Sequence, residues 1–321
     1  MPTDTWYGQE CEARIGLMAD ATTDPTSWEY LAFIRLDVTP QRERRRRPQI
    51  GPARHNVLDP IKGTQGFSRL SAALVVDLDA RRTARLLRMG LGAPSTTGPA
   101  SGLYTHVWNS GSKATQYFAL QIRTAADQVR IYRGLTIATL GLAFNGENTR
   151  DFDLNIGLRG LSWARLSDWL GSTPGSSLVS ESLIHRGLFK IDGVAVTNTL
   201  DISINYDRQL AEDIFLSTTP TIQGLRPNGG VHTGTATFRA VGEELDDMEE
   251  GETVFAAAAE MQGVTSGHKI TFEHPQAMLN APPLSIGEGL IERSISWDGH
   301  QDSADPAFRL TIVNNVASYA T

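Results

Sequence analysis

The chain has 321 residues, 40% hydrophobic and 20% charged, with 30 Gly and 15 Pro; this supports about two packed domains and excludes disorder or a minimal peptide scaffold. No apolar run approaches the roughly 18 residues that span a bilayer, and residues 1–6 lack the basic and apolar regions of a secretion leader, so the expectation is a product that stays where it is made, off the membrane. A net charge of −7 argues against a protein that wraps nucleic acid through neutralised phosphates, and the single Cys11, read as a small apolar filler, excludes an intrachain disulfide.

In chain order, the first predicted strand covers residues 28–37. A long polar connection follows, in which Pro40 and Pro48 bracket Arg42, Arg44, Arg45, Arg46 and Arg47, broken by Glu43 and running into Gln49-Ile50-Gly51. With few apolar side chains to offset ordering entropy, residues 38–65 read as an exposed arm that orders on assembly against acidic groups of another copy. A phosphate patch is the alternative, but no aromatics interleave the arginines as a single-strand groove requires. A strand over 66–77 leads to a helix over 78–89, capped by Asp77 or Asp79, with Ala80, Ala84, Leu87 and Leu91 on one stripe and Gly90 as its stop. That helix is expected to expose Arg81, Arg82, Arg85 and Arg88. After a Gly/Ser/Thr-rich loop come strands over 117–123 and 135–144, the latter turning at Asn145-Gly146 into 152–158. There Phe152, Leu154, Ile156 and Leu158 alternate with polar or small residues, the period of a half-buried antiparallel strand.

Residues 166–182, with Gly171-Ser172-Thr173-Pro174-Gly175-Ser176-Ser177, read as a linker. Beyond it the order recurs: a strand over 200–206, a connection containing Ile222-Gln223-Gly224, and a strand over 235–241. A helix over 243–261 follows, with Leu245, Met248, Phe255 and Ala259 on one stripe and Glu243, Glu244, Asp246, Asp247, Glu249 and Glu250 at its start. Strands over 268–274 and 290–297 complete the set, the second turning at Asp298-Gly299 into 307–313. The reading is a mainly β protein of two tandem β-sandwich or barrel domains, 1–165 and 183–321, each flanked by one α-helix. The first 165 residues carry 21 basic and 15 acidic residues (+6), the remainder 8 and 21 (−13). Opposite signs in one chain suggest self-complementary contacts.

Chemical motifs do not assemble. Lys62-Gly63-Thr64 and Ser112-Lys113-Ala114 lack the glycine frame of a phosphate-binding loop, and no Gly-x-Ser-x-Gly elbow occurs. His268 and His274, six apart on a predicted strand, share a face but cannot both reach one metal unaided, and read as surface or rim residues. The acidic run from Glu243 to Glu252 lacks the spacing of a calcium loop and reads as a solvated or partner-facing helix. No enzyme, metal or cofactor is expected.

Several features in the right order resemble the tail tube proteins of long, non-contractile bacteriophage tails. These are Tyr7-Gly8-Gln9-Glu10, the Arg-rich segment running into Pro48-Gln49-Ile50-Gly51, Gly66-Phe67-Ser68 before a strand and helix, and Tyr132-Arg133-Gly134-Leu135-Thr136-Ile137 before a strand. The likeness covers about the first 165 residues by motif and the remainder by element order. It implies a β-sandwich or barrel-like domain with one helix and a long arm, packed six to a ring, the rings stacking into a virion tail tube that conducts DNA without specific binding during ejection. Two domains per chain would make the ring a homotrimer with pseudo-sixfold symmetry. The implied partners are further copies of the chain and the tape measure, terminator and distal tail proteins; the arginine groups and acidic cluster named above would form the assembly interface. A virion-tip module binding a host-surface ligand is the alternative; it requires exposed aromatic platforms, and Trp6, Trp28, Trp108, Trp163, Trp169 and Trp297 are scattered. A β-rich hydrolase is a third reading, without a catalytic constellation.

Overall fold

The computed structural model describes residues 11–45, 64–125, 128–145, 152–174, 184–214, 222–239, 252–280 and 292–319. The first half contains β1 (Glu12–Leu17), β2 (Glu29–Tyr30), β3 (Arg35–Arg45), β4 (Thr64–Asp77), α1 (Ala80–Leu91), β5 (Ser95–Ala100), β6 (Leu103–Asn109), β7 (Phe118–Ala125), β8 (Gln128–Asn145), β9 (Asp153–Gly160) and β10 (Ser162–Leu166). The second contains β11 (Ile184–Ile191), β12 (Val194–Val196), β13 (Thr199–Asp207), β14 (Leu210–Asp213), β15 (Gly224–Pro227), β16 (Val231–Arg239), β17 (Val254–Gly263), β18 (Lys269–Asn280), β19 (Glu292–Gly299) and β20 (Arg309–Asn314). Every pairing between them is antiparallel.

An 18-residue strand organises the first half. The N-terminal part of β8 lies between β7 and β10, and its C-terminal part between β9 and β13. The change of sheet falls at Gly134, whose φ of 63° belongs to the left-handed region and whose missing Cβ leaves room for Leu161, 2.7 Å from where that atom would stand. The same ladder recurs in the second half. β1 pairs with β2 and β7, as β11 does with β12 and β17. The row β3–β4–β9–β8 is matched by β13–β16–β19–β18. β7 and β10 flank the start of β8 as β17 and β20 flank the start of β18. The halves are then fused: β8 pairs with β13 from Thr139–Asp207 to Asn145–Asp201, and β6 pairs with β20. One hydrophobic core follows, including Leu87, Leu140 and Leu154 from the first half and Phe189, Phe238 and Trp297 from the second. Large side chains buried to this extent contribute about 1.5–3 kcal/mol each by leaving water.

α1 forms two residues further on than expected, and Gly90, expected as its stop, lies buried inside its last turn. The Asp79 carboxylate accepts from the Arg81 and Arg82 amides at 2.9 and 2.8 Å, and Gly92 closes the helix with its amide on the Arg88 carbonyl. The second predicted helix differs. Its residues up to 251 lie outside the described residues, and from Val254 the chain is strand β17, held between β11 and β18. Phe255, Ala257, Ala259 and Met261 are buried at period two; the Ala-rich run satisfied a helical stripe as well, and two neighbouring strands decide the outcome. Of the two flanking helices expected, one is present among the described residues.

Asp298-Gly299 is not a hairpin turn either. β19 and β20 both run antiparallel to β18, one along each part of its edge, so they follow each other instead of pairing, as β9 and β10 do along β8. Gly299 is small for another reason: a Cβ there would stand 2.7 Å from the Ala307 carbonyl oxygen and 3.1 Å from the His274 ring. The predicted strand over 28–37 is interrupted between β2 and β3. The arm is also shorter than expected, because its two ends extend a paired ladder, Gln41 opposite Arg69 and Arg45 opposite Thr64. Residues 46–63 lie outside the described residues.

Candidate assembly surface

Alternation along the strands gives the wide sheet two unlike faces. Leu74, Leu140, Leu154, Ile156, Ile204 and Ala236 point into the core. The other face carries Ser71, Ala73 and Val75 of β4, Asn155 and Gly157 of β9, Thr139, Gly141 and Ala143 of β8, Ser203 and Asn205 of β13, and Thr233, Thr235 and Thr237 of β16, all exposed or half-buried. One row of register partners crosses the junction between the halves unbroken: Arg35, Val75, Asn155, Gly141, Asn205, Thr233, Asp298. Charge stands at its ends, and the centre is neutral and small.

A shallow depression of about 520 Å³ lies over this centre, lined from β4, β9, β8, β13 and β16. Its floor depends on two glycines. A Cβ on Gly157 would stand 2.1 Å from the Thr139 hydroxyl, and one on Gly141 would stand 3.1 Å from the Asn205 amide oxygen. The centre is therefore smooth, with Asp207 the one charged residue of the depression's lining and Arg159 and Asp201 further along the same face. At the margins, Arg69 pairs with Glu212 at 2.9 Å, and Arg239 approaches Glu292 at 3.6 Å.

The arginines expected on the open face of α1 are engaged within the chain. Arg82 is buried, 3.8 Å from Asp77, and Arg85 meets Glu29 at 2.7 Å. Arg81 donates to Asn315 at 2.6 Å, and Arg88 to the Tyr319 carbonyl at 3.0 Å. The helix thus uses its cations to dock against β2 and the C-terminal segment. Arg42, Arg44 and Arg45 are in the backbone ladder of β3; Arg46, Arg47, Glu243, Glu244, Asp246, Asp247, Glu249 and Glu250 lie outside the described residues.

Several buried polar groups escaped the sequence reading or were placed at the surface by it. Arg208 is almost wholly enclosed, and its guanidinium donates to the carbonyls of Ala114 at 3.0 Å and Ile137 at 3.2 Å. Burial pulls its pKa below the ordinary arginine value. His232 and His274 are also buried, against the reading of His274 as a rim residue, and His268 is buried too. The Trp297 indole donates to His274 Nδ1 at 2.9 Å, and His232 stacks on Tyr206 with centroids 5.1 Å apart. Burial, and then the neighbouring His232, push the His274 pKa down to about 3. The period-two placement of His232 and His274 was the one available sign, and it could not tell the core from the rim.

Among the described residues, Trp28, Trp108 and Trp297 are buried and Trp163 and Trp169 half-buried, so none offers the exposed platform that a surface-ligand module requires. Arg14 and Arg123 instead lie over the Trp169 ring at 3.9 and 4.8 Å. No group of three or more metal-ligating side chains occurs among the described residues, and none of the helices described is long and apolar enough to cross a membrane. A broad antiparallel sheet with a bare, small-residue face, and with β3 paired on one edge only among the described residues, is the architecture of a structural β protein. Residues 8–299 match the phage tail tube protein family, and the chain belongs to that family: it is a structural protein of a bacteriophage tail. No curated protein matches the chain.

Proposed function

We propose that this protein self-assembles into stacked rings that form the tail tube of a long, non-contractile phage tail, with the smooth face of the wide sheet turned to the bore. The observation that carries the reading is the repeated ladder, fused edge to edge into one sheet that runs from β3 to β18 and presents small neutral side chains throughout its centre. Two tube-like domains per chain, 1–165 and 183–321, would let three chains close a ring of pseudo-sixfold symmetry. A bore of small side chains with carboxylates such as Asp207 and Asp298 among them would let DNA slide, since it is lysine or arginine bound to phosphate that adds to the hold on it. The role is structural and non-catalytic.

The +6 and −13 halves would alternate around such a ring, placing opposite charges at every boundary. Their contribution is to steering and register, because exposed pairs are worth about 0–1 kcal/mol and are screened by salt. The Arg42–Arg47 segment would reach the next ring. The partners implied are further copies of the chain and the tape measure, terminator and distal tail proteins, with assembly in the host cytoplasm. Negative-stain microscopy of the purified protein tests the reading: hollow tubes or stacked rings are expected, and a chain that stays monomeric at high concentration and with tail initiator proteins present would overturn it. Deleting residues 42–47 should leave a folded chain that forms no long tubes.

A further inference from the structure

β15 and β16 are joined by Asn228, Gly229 and Gly230, which belong to no strand or turn and are all exposed. Among the described residues neither Asn228 nor Gly229 has a hydrogen-bond partner. Gly229 has a φ of 120°, in the region that favours glycine, and a Cβ placed there would meet only the Gln209 side-chain oxygen, at 3.4 Å. An asparagine side chain and the amide that follows it are thus both uncrowded and free of the ladders that hold the rest of the sheet.

That combination has a chemistry of its own. A backbone amide that has lost its proton to hydroxide can attack the side-chain carbonyl carbon of the asparagine before it. The new N–Cγ bond forms, the Cγ–Nδ2 bond breaks, and ammonia leaves with a proton taken from water, giving a five-membered succinimide. Water then opens the ring at either carbonyl. One opening leaves an aspartate; the other leaves an isoaspartate, whose backbone is one methylene longer. Any side chain on the attacking residue hinders the approach, so glycine in that place makes it easiest.

The other described asparagines are held away from this path. Asn109 ends β6 opposite Arg309, and the Ser110 amide donates to the Phe308 carbonyl at 2.8 Å. Asn155 and Asn205 lie in strands paired on both sides and are followed by Ile156 and Tyr206. Asn145 precedes a glycine but is itself in the β8 ladder opposite Asp201, and Gly146 lies outside the described residues.

We infer that Asn228–Gly229 is a site of spontaneous covalent modification, converting through a succinimide to aspartate and isoaspartate in the folded protein. The product places a carboxylate just ahead of Gly230, where a Cβ would stand 2.6 Å from His232 Nε2 and 3.5 Å from the Asp207 carbonyl oxygen. Ageing of the protein therefore adds negative charge beside His232 and, in part of the chains, lengthens the backbone between β15 and β16. The inference stands independently of the assembly reading.

Peptide mapping of the full-length chain, incubated at pH 7.4 and at pH 9 with and without urea, tests it. The peptide carrying Asn228 is expected to gain about 1 Da as NH2 is replaced by OH. Part of that product should be a substrate for an isoaspartate-specific methyltransferase, and the conversion should be faster at the higher pH. Urea should change its rate by less than about threefold, whereas Asn109, which must wait for β6 to open, should convert at least about tenfold faster once unfolded. Asn228→Gln should abolish the change in that peptide. A folded chain in which Asn228 keeps its mass, or converts about tenfold or more slowly than in urea, would overturn the inference. So would conversion of Asn109 or Asn205 ahead of Asn228.

Discussion

Arg208, at the end of β13, donates from its guanidinium to the carbonyl of Ala114 at 3.0 Å, so a buried cation of the second half holds a backbone acceptor of the first. The same group reaches the Ile137 carbonyl at 3.2 Å and lies 3.4 Å from the Gly90 carbonyl in the last turn of α1, where the helix dipole favours positive charge. Arg208→Met would remove the bonds to Ala114 and Ile137, at about 1–3 kcal/mol for each, while the Gly90 carbonyl keeps the Thr136 hydroxyl at 3.0 Å. The expected loss is on the order of 3 kcal/mol in urea unfolding, with Arg208→Lys recovering less than half because one ammonium cannot span the three carbonyls. An unchanged midpoint would mean that Arg208 adds nothing to the β8–β13 and β6–β20 ladders and the apolar core that join the halves.

Gly157 and Thr139 form a second cross-strand dependency. A Cβ at Gly157 would stand 2.1 Å from the Thr139 hydroxyl, on a β-branched side chain with little rotamer freedom. Gly157→Ala should cost about 1–3 kcal/mol. Combining it with Thr139→Ala should restore most of that, so a double-mutant cycle of unfolding midpoints should give a coupling of at least about 1 kcal/mol. Additive losses would contradict the contact.

The buried histidines make stability fall with acid. His274 is neutral when folded, its pKa pushed from 6.5 down to about 3, whereas in the unfolded chain it takes up a proton near 6.5. The unfolded state then binds more protons below that pH, and stability present above 6.5 is lost progressively as pH falls toward 3. Between pH 6.5 and pH 5, where most carboxylates remain ionised, His274 alone should cost about 2 kcal/mol. Burial also lowers the His232 pKa, against an opposing pull from Asp207, and so adds to the effect. Urea titrations at the two pH values measure this, and His274→Gln, which keeps an acceptor for the Trp297 indole, should flatten the dependence.

Charge on the smooth face should act on DNA passage more than on folding. Asn205 and Thr235 are exposed at its centre, so Asn205→Arg with Thr235→Arg should leave unfolding within about 0.5 kcal/mol of the parent. If the face lines the bore, phage carrying these substitutions should adsorb normally and eject DNA slowly, because each ring adds phosphate contacts. Normal ejection kinetics would place the face elsewhere.

The legible parts of this fold were those with one strong local period. Phe152, Leu154, Ile156 and Leu158 announced β9, and Asp79 with the Ala84–Leu87 stripe announced α1. β1 stayed hidden because four successive residues from Ala13 to Gly16 are buried, Arg14 among them beneath Trp169, so no alternation reaches the sequence. β17 was misread because alanines at 256–259 satisfy either period until β11 and β18 enclose them. The smooth face was invisible for another reason: serine, threonine, asparagine and glycine carry no signal individually, and only the register of β4, β9, β8, β13 and β16 brings them together. Because 254–263 was read as a helix, the order of the second half slipped by one strand: 117–123 was matched with 268–274 and 135–144 with 290–297, whereas the pairings match β7 with β17 and β8 with β18.

The most direct test of the account is a helical reconstruction of assembled tubes by electron cryomicroscopy. The account predicts three chains per ring, with Thr139, Asn155, Asn205 and Thr235 facing the bore. Rings of another stoichiometry with this face turned outward, or buried between rings, would contradict it.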